Sequence, residues 1–343
     1  MRTTKTLGIV AAVGAAALML SACSGAAAPS GSGEPAAGTT TTLRLALNQA
    51  EEHPSYIALT GFGERLSEAT DGRYEIEVYA NELLGAQAET LQFVSDGSVD
   101  LSVVSGTQLE NLNPDFGVLN LPTVFSSIDH QMGALSDDEV VGDLYASLEE
   151  SNAITVLGGL TQGERHVYTT FGPVQEPGDL SGKKLRVQES ELHIAMAEAM
   201  GASATPLAFG ELYGALQSGV VDAAENNAVS YFTQRHFEVA PHFTSTNHLI
   251  GTDYVIVNSD RLAGMSEEDR AAFEEEWDAT WAEHTELWQT ATDDAIAQAE
   301  AGGATFHELD SDAFADALAP MVEEFIETDE QQALFDAIRA SAE

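Results

Sequence analysis

The sequence predicts an α/β fold built from two related units, each a mostly parallel sheet flanked by helices. Three observations predict it. Short apolar or alternating segments alternate with helical ones along 43–227. One pattern occurs twice: Leu91-Gln92 leads to Asp96-Gly97-Ser98-Val99-Asp100, and Leu216-Gln217 leads to Ser218-Gly219-Val220-Val221-Asp222. Both read as helix, glycine turn, short strand, aspartate. The alternative is that any helix–turn–strand unit converges on such residues. Last, 266–301 has the length and caps of one long helix that crosses from one unit to the other.

Taken in order, the basic Arg2 and Lys5 precede an apolar stretch over 7–20, too short to span a membrane but suited to a signal-peptide core. Leu20-Ser21-Ala22-Cys23 follows and resembles a lipobox, in which the cysteine is lipidated. Residues 1–22 are therefore expected to be a lipoprotein leader. A Ser/Gly/Ala/Pro/Thr tether is expected over 23–42. Cys23 is the only cysteine of 343 residues, which excludes an internal disulfide, a cysteine metal site and thiol catalysis in the body.

In the body, 43–48 reads as a strand and 54–70 as a helix, with Tyr56, Leu59, Phe62 and Leu66 on one face. Tyr74–Tyr79 alternates apolar and charged residues, as a half-wet strand does. A helix over 89–95 and a buried strand over 99–105 follow. The second unit has a strand at 185–187, helices at 191–200 and 211–217, and a strand at 220–222. In the long C-terminal helix, Phe273, Trp277, Trp281 and Trp288 share a face and read as core.

The formal net charge is −43, from 56 acidic and 13 basic residues. Nucleic acid and anionic lipid surfaces are therefore poor partners. The acidity suits a saline habitat or a lineage whose exported proteins are acidic. No Gly-x-Ser-x-Gly elbow or His-Glu-x-x-His motif is present, and the nine histidines are scattered, so no catalytic residue is assigned and no enzyme is expected. No cofactor is expected and no metal ligand is assigned, although the acidity makes counter-ions plentiful.

The richest segment is 179–227. It contains Asp179-Leu180-Ser181-Gly182-Lys183-Lys184-Leu185-Arg186-Val187, then Met200-Gly201-Ala202, Gly210-Glu211-Leu212-Tyr213, and Asp222-Ala223-Ala224-Glu225-Asn226-Asn227. With His53-Pro54, Leu84-Gly85, Leu121-Pro122 and the long helix, it resembles the DctP-type substrate-binding proteins of TRAP (tripartite ATP-independent periplasmic) transporters. Ala223-Ala224 departs from the Gly-containing pair common in that family.

The resemblance implies a periplasmic-binding-protein-like clamp of two lobes closing on a small organic acid. Lobe I is expected over 43–164 with a return at 250–285. Lobe II is expected over 165–249 with 286–343. The family anchors its acid through an arginine that matches Arg186. The residues agree: a guanidinium fork suits a carboxylate, and a strand between Leu185 and Val187 aims it rigidly. An ion pair is the alternative for Arg186, and a surface salt bridge for Arg165, which matches a second family arginine. Asn226, Asn48 and Phe209 match further contacts, with Phe209 equally readable as core. His53, Gln87 and Glu89 are candidate hydroxyl readers. Asn227, Ser230, Arg235 and His236 look like members handling uronates.

The expected function is an extracytoplasmic receptor, lipid-anchored at Cys23 to the outer face of the cytoplasmic membrane. It would be a monomer that delivers a uronate or C4-dicarboxylate to TRAP permease subunits. A lipoprotein sensing ligand for a membrane kinase, or a binder of an ectoine-like zwitterion, is the alternative.

Overall fold

The structure is a computed structural model that describes residues 40–342. The leader, Cys23 and most of the tether lie outside the described residues. The tether ends earlier than expected, because Thr41 and Thr42 already pair with Tyr74 and Glu75.

Nine strands form one mixed sheet: β1 (Thr41–Ala46), β2 (Tyr74–Tyr79), β3 (Leu101–Ser105), β4 (Ile154–Thr169), β5 (Lys184–Val187), β6 (Ser203–Pro206), β7 (Ala223–Asn226), β8 (His242–Asn258) and β9 (Thr305–His307). Their order is β2-β1-β3-β8-β4-β7-β5-β6, with β9 on β8. Strands β1, β2 and β3 are parallel, as are β5, β6 and β7. Between these outer units lies a long antiparallel pair, β4 and β8, whose register shifts between Thr161 and Glu164 and again between Arg165 and Val167.

The two outer units use the same device. Gly97 and Gly219 adopt φ of 76° and 74°, a left-handed turn open to glycine at little strain. The following aspartate then caps the neighbouring strand: Asp100 Oδ2 accepts the Arg44 N–H at 2.8 Å, and Asp222 Oδ2 accepts the Lys184 N–H at 2.9 Å. The strand expected at 220–222 begins further along the chain. Residues 220–222 form the turn, and the strand is Ala223–Asn226. Asp222 spends its side chain on capping rather than on a strand face.

The helix Pro54–Ala69 buries Leu59, Phe62 and Leu66, each worth about 1.5–3 kcal/mol when removed from water. Phe62 meets Phe273 and Trp277 of the long helix edge-on, at 5.0 and 6.0 Å. That helix runs Glu267–Ala301, with Ser266 accepting the Asp269 N–H. Its 35 residues span about 50 Å at 1.5 Å each. Trp277 and Trp281 donate their indole N–H groups to Leu157 and Gly159 carbonyls, and Trp288 covers Gly163, so the helix is fastened along β4. A Cβ at Gly163 would lie 2.5 Å from the Trp288 indole nitrogen.

The last helix, Asp329–Ala340, departs from the expected grouping of 286–343 with the second unit. It packs on 114–120 and on the helix Asp138–Ala146, with His130 bonded to the Ile338 carbonyl at 2.7 Å. The apolar Ile338, fully buried there, supplies the reason. Among the described residues no helix is long and apolar enough to cross a membrane.

Candidate functional site

A cleft with about 470 Å³ of empty space, part of it open to solvent, lies where the strands of both outer units end. Each unit has the order second–first–third, and the carboxyl ends around its first strand form a crevice suited to a ligand. Asn48 and Gln49 line it just beyond β1, and Gln188 and Glu189 do so just beyond β5. Glu82, Gln87 and Gln108 complete the first side, and Phe209 and Asn226 the second. From the central strands come Gln162, Arg165 and Asp253.

The two arginines differ in what they already hold. Arg165 is 1% exposed and saturated. Its Nε and Nη2 clamp the Glu225 carboxylate at 2.6 and 2.7 Å; Nη2 also donates to the Glu225 carbonyl, and Nη1 to Gln162 and Asn226. Burial disfavours the Glu225 charge, but the Arg165 guanidinium and the nearby His248 hold its carboxyl well below the usual range. His193, 3.9 Å from Glu225, is itself pushed down to about 3 by burial and stays neutral.

Arg186 is 2% exposed and lacks a counter-ion: among the described residues it forms no salt bridge. Its Nε and Nη2 donate to the Leu207 carbonyl at 2.9 and 2.6 Å, and the Phe209 ring lies 5.8 Å from its guanidinium carbon. These contacts fix the fork and leave Nη1 free. Burial lowers its proton affinity, with Glu225 opposing. A buried cation without a partner is costly unless a ligand anion completes it.

The polar atoms around it are similarly prepared. Asn226 Oδ1 accepts from Arg165 and from both nitrogens of Asn227, which leaves its Nδ2 to donate. Asn48 Oδ1 is buried without a partner. Asp253 Oδ1 accepts the Gln162 amide at 2.6 Å, and burial pushes its carboxyl up to about 6 against Gln162 and Arg165. Across the cleft, the Gly210 N–H donates to Glu82 at 3.2 Å and Thr107 donates to Gln188 at 3.2 Å.

Of the expected contacts, Arg186, Arg165, Asn226, Asn48 and Phe209 gather in the cleft, as does Gln87. The other six do not line it. His53 caps the helix Pro54–Ala69 and packs on Trp288, 5.5 Å away. Burial, with His284 beside it, pushes its pKa down to about 3. Glu89 is exposed and bonds back to the Ala86 N–H of its own helix start. Asn227 caps the helix Ala228–Thr233 through the Ser230 N–H. Ser230 is buried in loose contact with Gln49 and His53, Arg235 pairs with Glu238 at the surface, and His236 is buried beside Phe209. Phe209 serves both readings: it lines the cleft and packs on the core of the second unit.

Sequence reasoning missed Gln162 and Asp253. The signal for Asp253 was a lone acid in the apolar run 249–257. Among the described residues no group of three or more metal-ligating side chains assembles.

Comparison with known proteins gives consistent findings. The family described as bacterial extracellular solute-binding protein, family 7 (DctP) matches residues 45–329. A solute-binding protein of Chromohalobacter salexigens is 34% identical over 277 residues, 80% of this chain and 82% of that protein. The crystal structure of a TRAP periplasmic solute-binding protein from Anaerococcus prevotii with bound glucuronate superposes with a TM-score of 0.85 at 35% identity, over 88% of this chain and 98% of that one. A counterpart from Sulfitobacter with bound galacturonate gives 0.83 at 30% identity, over 88% and 100%.

Proposed function

The chain belongs to the DctP family of bacterial extracellular solute-binding proteins, an extracytoplasmic receptor family of TRAP transport and not an enzyme family, and on that premise we propose that its ligand is a hexuronate whose carboxylate is held by Arg186. The observation that carries this reading is the buried Arg186 fork, oriented by Leu207 and lacking a carboxylate partner, in a cleft lined by amides and by the acids Glu82, Glu189 and Asp253. A carboxylate would take its free donors as charge-assisted bonds. Asn226 would add a donor, and Asn48 an acceptor for a hydroxyl. Similar solved proteins carry glucuronate or galacturonate.

Capture proceeds by closure of two lobes about β4 and β8. The register shifts near 161–167 support a hinge there, and the Glu82–Gly210 and Thr107–Gln188 bonds suit a closed clamp. The loaded receptor docks on TRAP permease subunits, and Cys23 carries the lipid that keeps it at the membrane.

Calorimetry with D-glucuronate, D-galacturonate, succinate and ectoine tests the ligand. Binding of a uronate that disappears in Arg186→Met is the expected result. Binding of ectoine alone, or uronate binding indifferent to Arg186→Met, overturns the reading. For the anchor, mass spectrometry of the native protein should find a lipidated N-terminal Cys23; an unmodified N-terminus downstream of it refutes the anchor.

A further inference from the structure

Asp253 lies on β8 in the middle of the sheet, opposite Ser105 on β3 and Leu160 on β4. It is 3% exposed and faces the cleft. An ionised carboxylate offers about four acceptor sites. Here a single bond, from Gln162, is made; Oδ2 accepts nothing, and no salt bridge reaches the group among the described residues. Oδ2 is not among the fully buried atoms left without a partner, so it opens on the cleft, and further donors can reach it from there.

The charges around the cleft point the same way. Arg165 is neutralised by Glu225 in a two-pronged ion pair. Among the described residues that leaves Arg186 as the one lining cation without a carboxylate, against Glu82, Glu189 and Asp253. One ligand carboxylate satisfies Arg186. A second would find no cation, and would meet a buried carboxylate that salt screens poorly.

We propose that Asp253 sets ligand specificity: it accepts hydrogen bonds from ligand hydroxyls and repels a second carboxylate, so the cleft selects polyhydroxylated monocarboxylates over C4-dicarboxylates. The inference rests on Arg186 as the anchor of the first carboxylate. A purely structural role is the competing account, in which Asp253 only orients Gln162, whose Oε1 accepts from Arg165. Asp253→Asn separates the two, because asparagine keeps an acceptor for Gln162 while losing the charge.

Calorimetry on the folded full chain and on Asp253→Asn, with D-glucuronate, D-gluconate, succinate and cyclohexanecarboxylate, reads the answer. The wild-type chain should prefer the two hydroxy acids to both other probes. Asp253→Asn should weaken D-glucuronate on the order of a hundredfold, as loss of one or two bonds to a charged acceptor does, and should narrow its preference over succinate. Unchanged D-glucuronate affinity in the variant, or an equal loss for all four acids, overturns the role of Asp253 and leaves the uronate reading standing. A wild-type preference for succinate overturns it without any variant. If the wild type binds neither hydroxy acid, the uronate reading falls and this inference with it.

Discussion

The two outer units of the sheet share a strand order, a left-handed glycine turn and a capping aspartate, yet they bring opposite chemistry to the cleft. The first presents the amides Asn48, Gln49, Gln87 and Gln108 with Glu82 and no cation; the second presents Gln188, Glu189, Phe209 and Asn226 and adds the cation Arg186, which has no salt bridge. The second and third residues after β1 are Asn48-Gln49, and the first two after β5 are Gln188-Glu189. A repeated backbone therefore supplies geometry, and under the proposed function the side chains divide the labour, with carboxylate anchorage assigned to the second unit. Function resides in side chains carried by a fold, and not in the fold itself.

The largest expected effect breaks the contrast between the two arginines. Arg165→Met strands the buried Glu225 and should destabilise the fold by about 3–5 kcal/mol, read by urea denaturation. Arg186→Met removes a buried cation with no carboxylate partner, so it should leave the unliganded stability nearly intact. If both variants lose stability equally, the two sites are not distinct.

Next comes affinity. Arg186→Met should weaken a uronate by about 2–5 kcal/mol, the loss expected when a buried charge pair is broken. Arg186→Lys should lose clearly but less, since an ammonium lacks the planar fork. At equal folded concentration Arg165→Met should lose less than Arg186→Met. The reverse order in calorimetry would transfer the anchor to Arg165.

The pH dependence of the empty receptor sharpens the place of the central strands. Asp253 rises from an ordinary 3.8 to about 6 in the fold. The folded state therefore holds a proton that the unfolded chain has released. Stability from this group is full below about pH 4 and is lost as pH rises through about 6, up to about 3 kcal/mol at 1.36 kcal/mol per unit. Gln162 and Arg165 on β4 face it and limit the loss. Asp253→Asn should flatten that part of the melting profile between pH 4 and 7; an unaltered profile would show that another group carries it.

The smallest effects test the repeat itself. Asp222→Ala should cost about 1 kcal/mol, the price of one strand-capping bond. Asp100→Ala should cost about 1 kcal/mol more, because Asp100 also pairs with Arg261 at 2.7 Å and Arg44 at 3.7 Å. Equal melting shifts for the two would mean that those surface pairs contribute nothing.

Much of the fold was legible. Tyr74–Tyr79 is a strand because its residues alternate, and Glu267–Ala301 is a helix because Ser266 caps it and its apolar residues recur on one face. Residues 220–222 misled because Val220 and Val221 have strand propensity, while the left-handed Gly219 before them belongs to a turn that delays the strand to Ala223. Of the candidate site, the buried strand position of Arg186 was legible because it stands between apolar neighbours. His53 and Glu89 were misplaced because helix capping, a local demand, took their side chains.

By itself the sequence determined the elements that depend on neighbours along the chain: caps, glycine turns, apolar faces, and the family pattern around Arg186. The tertiary structure decided which charges are spent. Arg165 meets Glu225 across 60 residues of chain, and Gln162 meets Asp253 across 91. Only the packing of β4 against β7 and β8 brings those groups together. Coulomb attraction depends on distance in space and on burial, neither of which is written in residue order.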